Sequence, residues 1–217
     1  MTTDTGRPAV ARVGTIVPRT RAEGPGTRFA IWAQGCSVRC PGCFNPHLWG
    51  TSGGTDRLVD DLVALVLAEA DAGAVEGITL LGGEPFDQAK AFAQLGAQVR
   101  EANLSVMTFT GHERAWLESP AAPPGAAALL SVTDLLVDGA YRADQPDHVR
   151  PWVGSRNQEL HFLTDRYAGL RLAATPDRLE MRISADGGVT VNGWAGVDQL
   201  DALLEGIGPP VGRGTVR

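Results

Sequence analysis

Three cysteines fall within eight consecutive positions, Cys36-Ser-Val-Arg-Cys40-Pro-Gly-Cys43, and the 217-residue chain has no fourth. A disulfide framework needs pairs spread along the chain. An odd, tightly clustered set points instead to metal ligation or redox chemistry. Three thiolates on one tight loop can take three irons of a cubane cluster, leaving the fourth iron open to another molecule. Pro41-Gly42 allows a sharp turn whose backbone amides can donate to the sulfides. Spacing alone leaves a second option open, a structural zinc site in which His47 joins the three cysteines.

The segments around this loop read as alternating strands and helices. Residues 27–33 alternate as a strand and run directly into the cysteines. Residues 56–72 carry apolar side chains at helical spacing, with Asp56 and Asp60 suited to the positive N-terminal end. A buried strand is expected at 77–81, a helix at 87–102, and further strands at 104–109 and 133–137. Strands that alternate with helices and lack hairpin turns imply an α/β fold with a parallel sheet and right-handed crossovers. The C-terminal ends of such strands carry the reactive loops. The cysteine loop, Gly82-Gly83-Glu84, Thr108 to Gly111 and Asp138-Gly139 each follow an expected strand, which places them around one site.

The C-terminal part differs. Residues 178–184 and 189–192 flank Asp186-Gly187-Gly188, a hairpin signal, and a short helix is expected at 196–206. Three regions follow: a flexible leader over 1–13, a core domain over 14–163, and an extension over 164–217 ending in a disordered tail. A net charge of −6 gives no basic footprint for nucleic acid. No segment reads as a signal peptide or a membrane span, so a cytoplasmic protein is expected.

Gly82-Gly83-Glu84-Pro85 can bring backbone close to a ligand and offer a carboxylate to an ammonium group. It can equally be a strand-to-helix turn capped by Glu84. Taken together, the motifs resemble the radical S-adenosylmethionine superfamily. The stretches 23–49, 77–86, 106–112, 134–141 and 150–162 resemble its glycyl-radical activating enzymes, and most of all the activators of anaerobic ribonucleotide reductase.

The resemblance implies a partial (β/α) barrel, beyond which the C-terminal hairpin and helix form a small extension that the short reductase activators lack. It implies a [4Fe–4S] cluster on Cys36, Cys40 and Cys43 whose open iron binds S-adenosylmethionine. Gly82, Gly83 and Glu84 match the segment around the cofactor's amino group. Asn45, Thr108, Thr110 and Asp138 match other cofactor-contacting positions, with a turn cap as the alternative for Asp138. The implied chemistry is one-electron cleavage to methionine and a 5′-deoxyadenosyl radical, which abstracts hydrogen from a glycine of a glycyl-radical partner. A flavodoxin- or ferredoxin-like protein would supply the electron. Arg28 and the 150–157 loop are candidates for partner recognition, with surface solvation as the alternative. Gly42 stands where many superfamily members place an aromatic residue before the third cysteine, with Phe44 following instead as in the reductase activators, and Ala140 stands where family members often carry a lysine. The extension leaves open a radical modification of another peptide or a small metabolite.

Overall fold

The computed structural model describes residues 8–193. Its centre is a seven-stranded sheet in the order β3-β1-β2-β4-β5-β6-β7. The strands are β1 (Val10–Thr20), β2 (Arg28–Ala33), β3 (Thr55–Leu58), β4 (Gly77–Gly82), β5 (Ser105–Phe109), β6 (Leu135–Asp138) and β7 (Glu159–Phe162). β2, β4, β5 and β6 are parallel. β1 and β3 extend the sheet antiparallel on one side, and β7 does so on the other. The helices are α1 (Val59–Asp71), α2 (Ala89–Glu101), α3 (Arg114–Leu117) and α4 (Ala126–Val132). The expected hairpin is present as a separate two-stranded sheet, β8 (Leu179–Ile183) and β9 (Val189–Gly193). The expected helix at 196–206 and the tail lie outside the described residues. Among the described residues, no helix is long and apolar enough to cross a membrane.

Several expectations change. Residues 10–13, expected to be leader, belong to β1. Asp56 lies in edge strand β3, paired through Arg12, and α1 begins only at Val59. β3 is exposed at every residue, so it has no apolar alternation to reveal it. Residues 164–175 are not peripheral either, since Tyr167, Leu170 and Leu172 pack against the sheet.

The two sheet faces differ. Phe29, Ile31, Ile78, Leu80, Val106 and Leu136 lie under the helices, packed with Leu62, Phe92 and Leu129. On the opposite face, Met107, Leu135 and Val137 are covered by Trp152 and Val153. Trp32 and Leu81 are covered there by Leu48. Residues 151–153, in the loop expected to meet a partner or solvent, are buried on this inner face, with Trp152 at φ 66° and its amide on Asp177 at 3.0 Å.

Arg28 is also fully buried and so cannot touch a partner. Among the described residues no carboxylate stands within ion-pair distance of it. Its guanidinium donates to Thr79 Oγ1 (3.1 Å), Ser105 Oγ (2.6 Å) and Tyr167 Oη (2.9 Å), and to the Ile78 carbonyl. The three hydroxyls keep other partners: Tyr167 donates to Ser105, Ser105 to the Glu76 carbonyl and Thr79 to the Glu23 carbonyl. Removing the charge therefore strands few polar groups. Arg28→Met should stay within about 1 kcal/mol of wild type. Arg28→Ala, which leaves a cavity, should cost about 3 kcal/mol. Urea denaturation of both variants checks this, and a large loss in Arg28→Met would show that the charge itself is needed.

Candidate cluster and cofactor site

The cysteine loop is closed at its base by backbone bonds. Gly35 N donates to Leu48 O at 2.8 Å and Cys36 N to Trp49 O at 3.2 Å. Inside this closure, Cys43 N donates to Cys40 O at 3.1 Å, and Gly42 (φ 79°) turns the chain. Arg39 also takes a positive φ, 51°, which aims its amide back at the Cys36 sulfur 3.5 Å away. The loop is then pinned to the first turn after β4. Ser37 donates to Asp87 twice, through its amide and its hydroxyl, each at 2.7 Å.

The end of β4 is joined directly to the start of this loop. Gly83 N donates to Ala33 O and Glu84 N to Gly35 O, both at 2.8 Å. A Cβ on Gly83 would lie 2.1 Å from the Gly35 carbonyl oxygen, so no other residue permits this approach. Gly82 holds φ 104° against the Trp32 backbone. The two glycines thus seat the turn against the strand that launches the cysteines.

Glu84 does not project into open space. It is 1% exposed. Its Oε1 accepts from Phe86 N and Thr110 Oγ1, both at 2.9 Å, and its Oε2 accepts from Gly111 N at 2.8 Å. Three of roughly four acceptor sites are therefore used inside the protein. The carboxylate joins the ends of β4 and β5 and caps the 3-10 turn Pro85–Gln88.

Cys36, Cys40, Cys43, Asn45, Gly82, Gly83, Glu84 and Thr110 thus lie along one edge, at the C-terminal ends of β2, β4 and β5. Thr108 and Asp138 are not turned toward it. Thr108 pairs in register with Leu80 and Leu136, on the helix face, and its hydroxyl meets Thr133 at 3.0 Å. The Asp138 carboxylate faces α3, accepting the Arg114 amide at 2.6 Å. His161 Nε2 stands 3.1 Å from its other oxygen, within ion-pair distance but without a hydrogen bond. The bond made by Asp138 is thus to the first amide of α3, not to the turn at Gly139. The sequence reading gave no role to Ser37 or Asp87. Only the closed loop reveals them, because their partners are distant in the chain.

The three thiols are free and partly exposed. Burial pushes Cys36 and Cys40 up, and backbone amides pull them back: Arg39 and Val38 for Cys36, Tyr141 for Cys40. Asn45 N donates to the Cys43 sulfur at 3.3 Å. Each thiol thus has an amide directed at it, as thiolates bound to iron require. Among the described residues, no group of three or more His, Cys, Asp or Glu is placed to hold a single metal ion. A cubane gives each thiolate its own iron, and its ligands stand further apart than those of one ion. The donor set and its amides fit such a cluster.

A family model described as a 4Fe-4S single cluster domain matches residues 22–161. The chain belongs to that family. Relatives include the anaerobic ribonucleoside-triphosphate reductase-activating protein of Vibrio cholerae, 32% identical over 148 residues, spanning 65% of this chain and 92% of the relative. The Escherichia coli K12 protein of that name is 31% identical over 157 residues with the same coverage. The pyruvate formate-lyase-activating enzyme of Listeria monocytogenes is 26% identical over 162 residues, or 72% of this chain and 65% of that one. Among solved structures, QueE from Escherichia coli matches at TM-score 0.41 and 16% identity, over 58% of this chain and 68% of that chain. The chain is therefore a radical S-adenosylmethionine enzyme of the glycyl-radical activating group, and its cofactors are a [4Fe–4S] cluster and S-adenosylmethionine.

Two outcomes follow. Gly83→Ala should force the β4 end off the cysteine loop, at a cost on the order of 3 kcal/mol. Iron content after reconstitution, read beside a denaturation curve, should fall with it. Burial raises the Glu84 carboxyl from 4.5 to about 7. An acid whose folded pKa is raised contributes stability that is complete below its unfolded value and lost as pH rises through the folded one. Relative to Glu84→Gln, the wild-type chain should lose stability between about pH 4.5 and 7 and change little above that. Paired thermal melts measure the difference, and a flat one would contradict the burial.

Proposed function

We propose that Cys36, Cys40 and Cys43 hold the cluster at the edge of a partial (β/α) barrel, and that the substrate is a glycine on an exposed loop of a partner protein. The anaerobic ribonucleotide reductase type of partner is the first choice, because relatives bearing that activating name match along 92% of their length. When bound and reduced, the cluster supplies the electron that cleaves S-adenosylmethionine and so yields the hydrogen-abstracting radical.

The observation that carries the substrate class is the filled inner face. Met107, Leu135, Val137, Trp152 and Val153 pack together where a small metabolite would need a chamber. Hydrogen abstraction must then occur at the open edge, where the cysteine loop sits. A protein loop can be laid across that edge.

The chain's own groups have distinct tasks in this reading. The Gly82 and Gly83 backbone lines the cofactor's amino-acid end, and Asn45 and Thr110 flank it. Glu84 acts through the backbone, holding Gly111 and Thr110 against the β4 turn. Its remaining acceptor site is the one left for an ammonium group. Arg39 and Arg142, both exposed near the cysteines, give an acidic flavodoxin- or ferredoxin-like donor a cationic landing point.

The test is anaerobic. The purified chain is reconstituted with iron and sulfide, reduced, and assayed for 5′-deoxyadenosine, beside Cys36→Ala, Cys40→Ala and Cys43→Ala. Product is expected from wild type and should fall at least about a hundredfold in each variant. A glycyl radical should then appear by electron paramagnetic resonance on an added glycyl-radical protein from the same genome. A chain that holds zinc and refuses a cluster would overturn the assignment.

A further inference from the structure

The first part of the loop between β6 and β7, residues 140–143, is packed against the cysteines from outside, and only the exposed Arg142 has been given a task so far. The Tyr141 backbone N–H bonds to the Cys40 sulfur. The Tyr141 ring lies against Phe44, with centroids 5.6 Å apart and planes at 57°. A Cβ placed on Gly42 would come within 2.9 Å of Ala143 Cβ and 3.8 Å of the Tyr141 ring. A side chain at Gly42, where φ is already 79°, would also press on this segment. Gly42 and the tyrosine after Ala140 are two sides of one contact.

A long loop makes a firm contact only if something holds it. Arg150 does so, with its guanidinium turned into its own loop. Nε donates to Asp147 Oδ2 at 2.7 Å, Nη1 to Gln158 O at 2.7 Å, and Nη2 to Arg156 O at 3.0 Å and Ser155 O at 3.3 Å. Asp147 in turn accepts the Val149 and Arg150 amides at 2.8 and 2.9 Å. From this clasp, Ser155 Oγ takes the Arg142 amide at 3.1 Å, and Asn157 donates to Ala140 O at 2.8 Å. The residues on both sides of Tyr141 are thus tied to the clasp.

We propose that residues 141–143 are the outer wall of the cluster site. In this arrangement the Tyr141 amide and ring orient Cys40 and exclude water and oxygen from the cluster, and Arg150 is the positioning residue that holds the wall in place. The physical case is general. Hydrogen bonds to ligating sulfurs and the apolar cover around them set the solvent access and potential of an iron–sulfur centre. A lysine at position 150 keeps the charge but loses the planar fork that four acceptors require.

The inference rests on the cysteines holding a cluster, and the experiment separates the two claims. Reconstituted wild type, Tyr141→Phe, Tyr141→Ala and Arg150→Lys are compared by iron content, by the electron paramagnetic resonance signal of the reduced cluster, and by the rate at which its visible absorbance bleaches in air. Melting of the iron-free chains is measured beside them. Tyr141→Ala and Arg150→Lys should load iron but bleach at least fivefold faster, with an altered resonance signal. Tyr141→Phe should behave as wild type, and Tyr141→Ala should melt close to wild type without iron. Wild-type bleaching and signal in both Tyr141→Ala and Arg150→Lys would overturn the wall while leaving the cluster in place. Failure of the wild type itself to take a cluster would overturn both.

Discussion

The chemistry of this chain hangs from two backbone hydrogen bonds made beyond the regular strands: Gly83 N to Ala33 O and Glu84 N to Gly35 O. They continue the parallel register of β2 and β4 past the sheet's edge, into the residues that precede Cys36. The site is therefore an outgrowth of the sheet, and a shift in either strand moves the first thiol with it. Glu84 then extends the same unit to a third strand by accepting from Thr110 and Gly111. Burying that carboxylate is costly, as its raised pKa shows. Three internal donors offset part of the cost, and what results is a rigid edge spanning β2, β4 and β5.

The unequal faces of the sheet complete the arrangement. One face binds helices through a mostly apolar core of aliphatic and phenylalanine side chains. The other takes in a fully buried arginine near the start of the strands and aromatic cover from the chain's own loops. The inner face is thereby filled by the chain's own side chains, and the cysteine loop stands at the strand ends. The proposed protein substrate would be met there rather than enclosed.

Much of this was legible in the sequence, for identifiable reasons. The buried parallel strands announced themselves as apolar runs ended by glycine, and the helix over 87–102 is seen as a 3-10 turn followed by α2. The hairpin at Asp186-Gly187-Gly188 followed from turn chemistry. What escaped was set by partners distant in the chain. β3 is polar because it is an exposed edge, and β1 begins within residues that look like a leader. Thr108 is placed at a strand end by spacing alone, but the register with Leu80 turns it to the helices. Arg28 is charged and sits next to the cysteine strand, so it reads as a surface group. Its burial is explained by the hydroxyls of Thr79, Ser105 and Tyr167 and the carbonyls of Ile78 and Ser105. The cysteines were legible for the opposite reason, since all their mutual geometry is local.

The closure of the cysteine loop also bears on how the chain can change length. Gly35–Leu48 and Cys36–Trp49 fix the two ends of the loop as the clasp of a purse fixes its mouth. Within that mouth the number of residues is as constrained as their identity, because one added between Cys36 and Cys43 must displace a thiol from its amide. Residues 51–53 lie outside both bonds and are exposed. Descendants of this chain can lengthen past the Thr51 carbonyl, which Arg12 holds, gaining new surface beside the cysteines while the spacing that defines the site passes through unchanged.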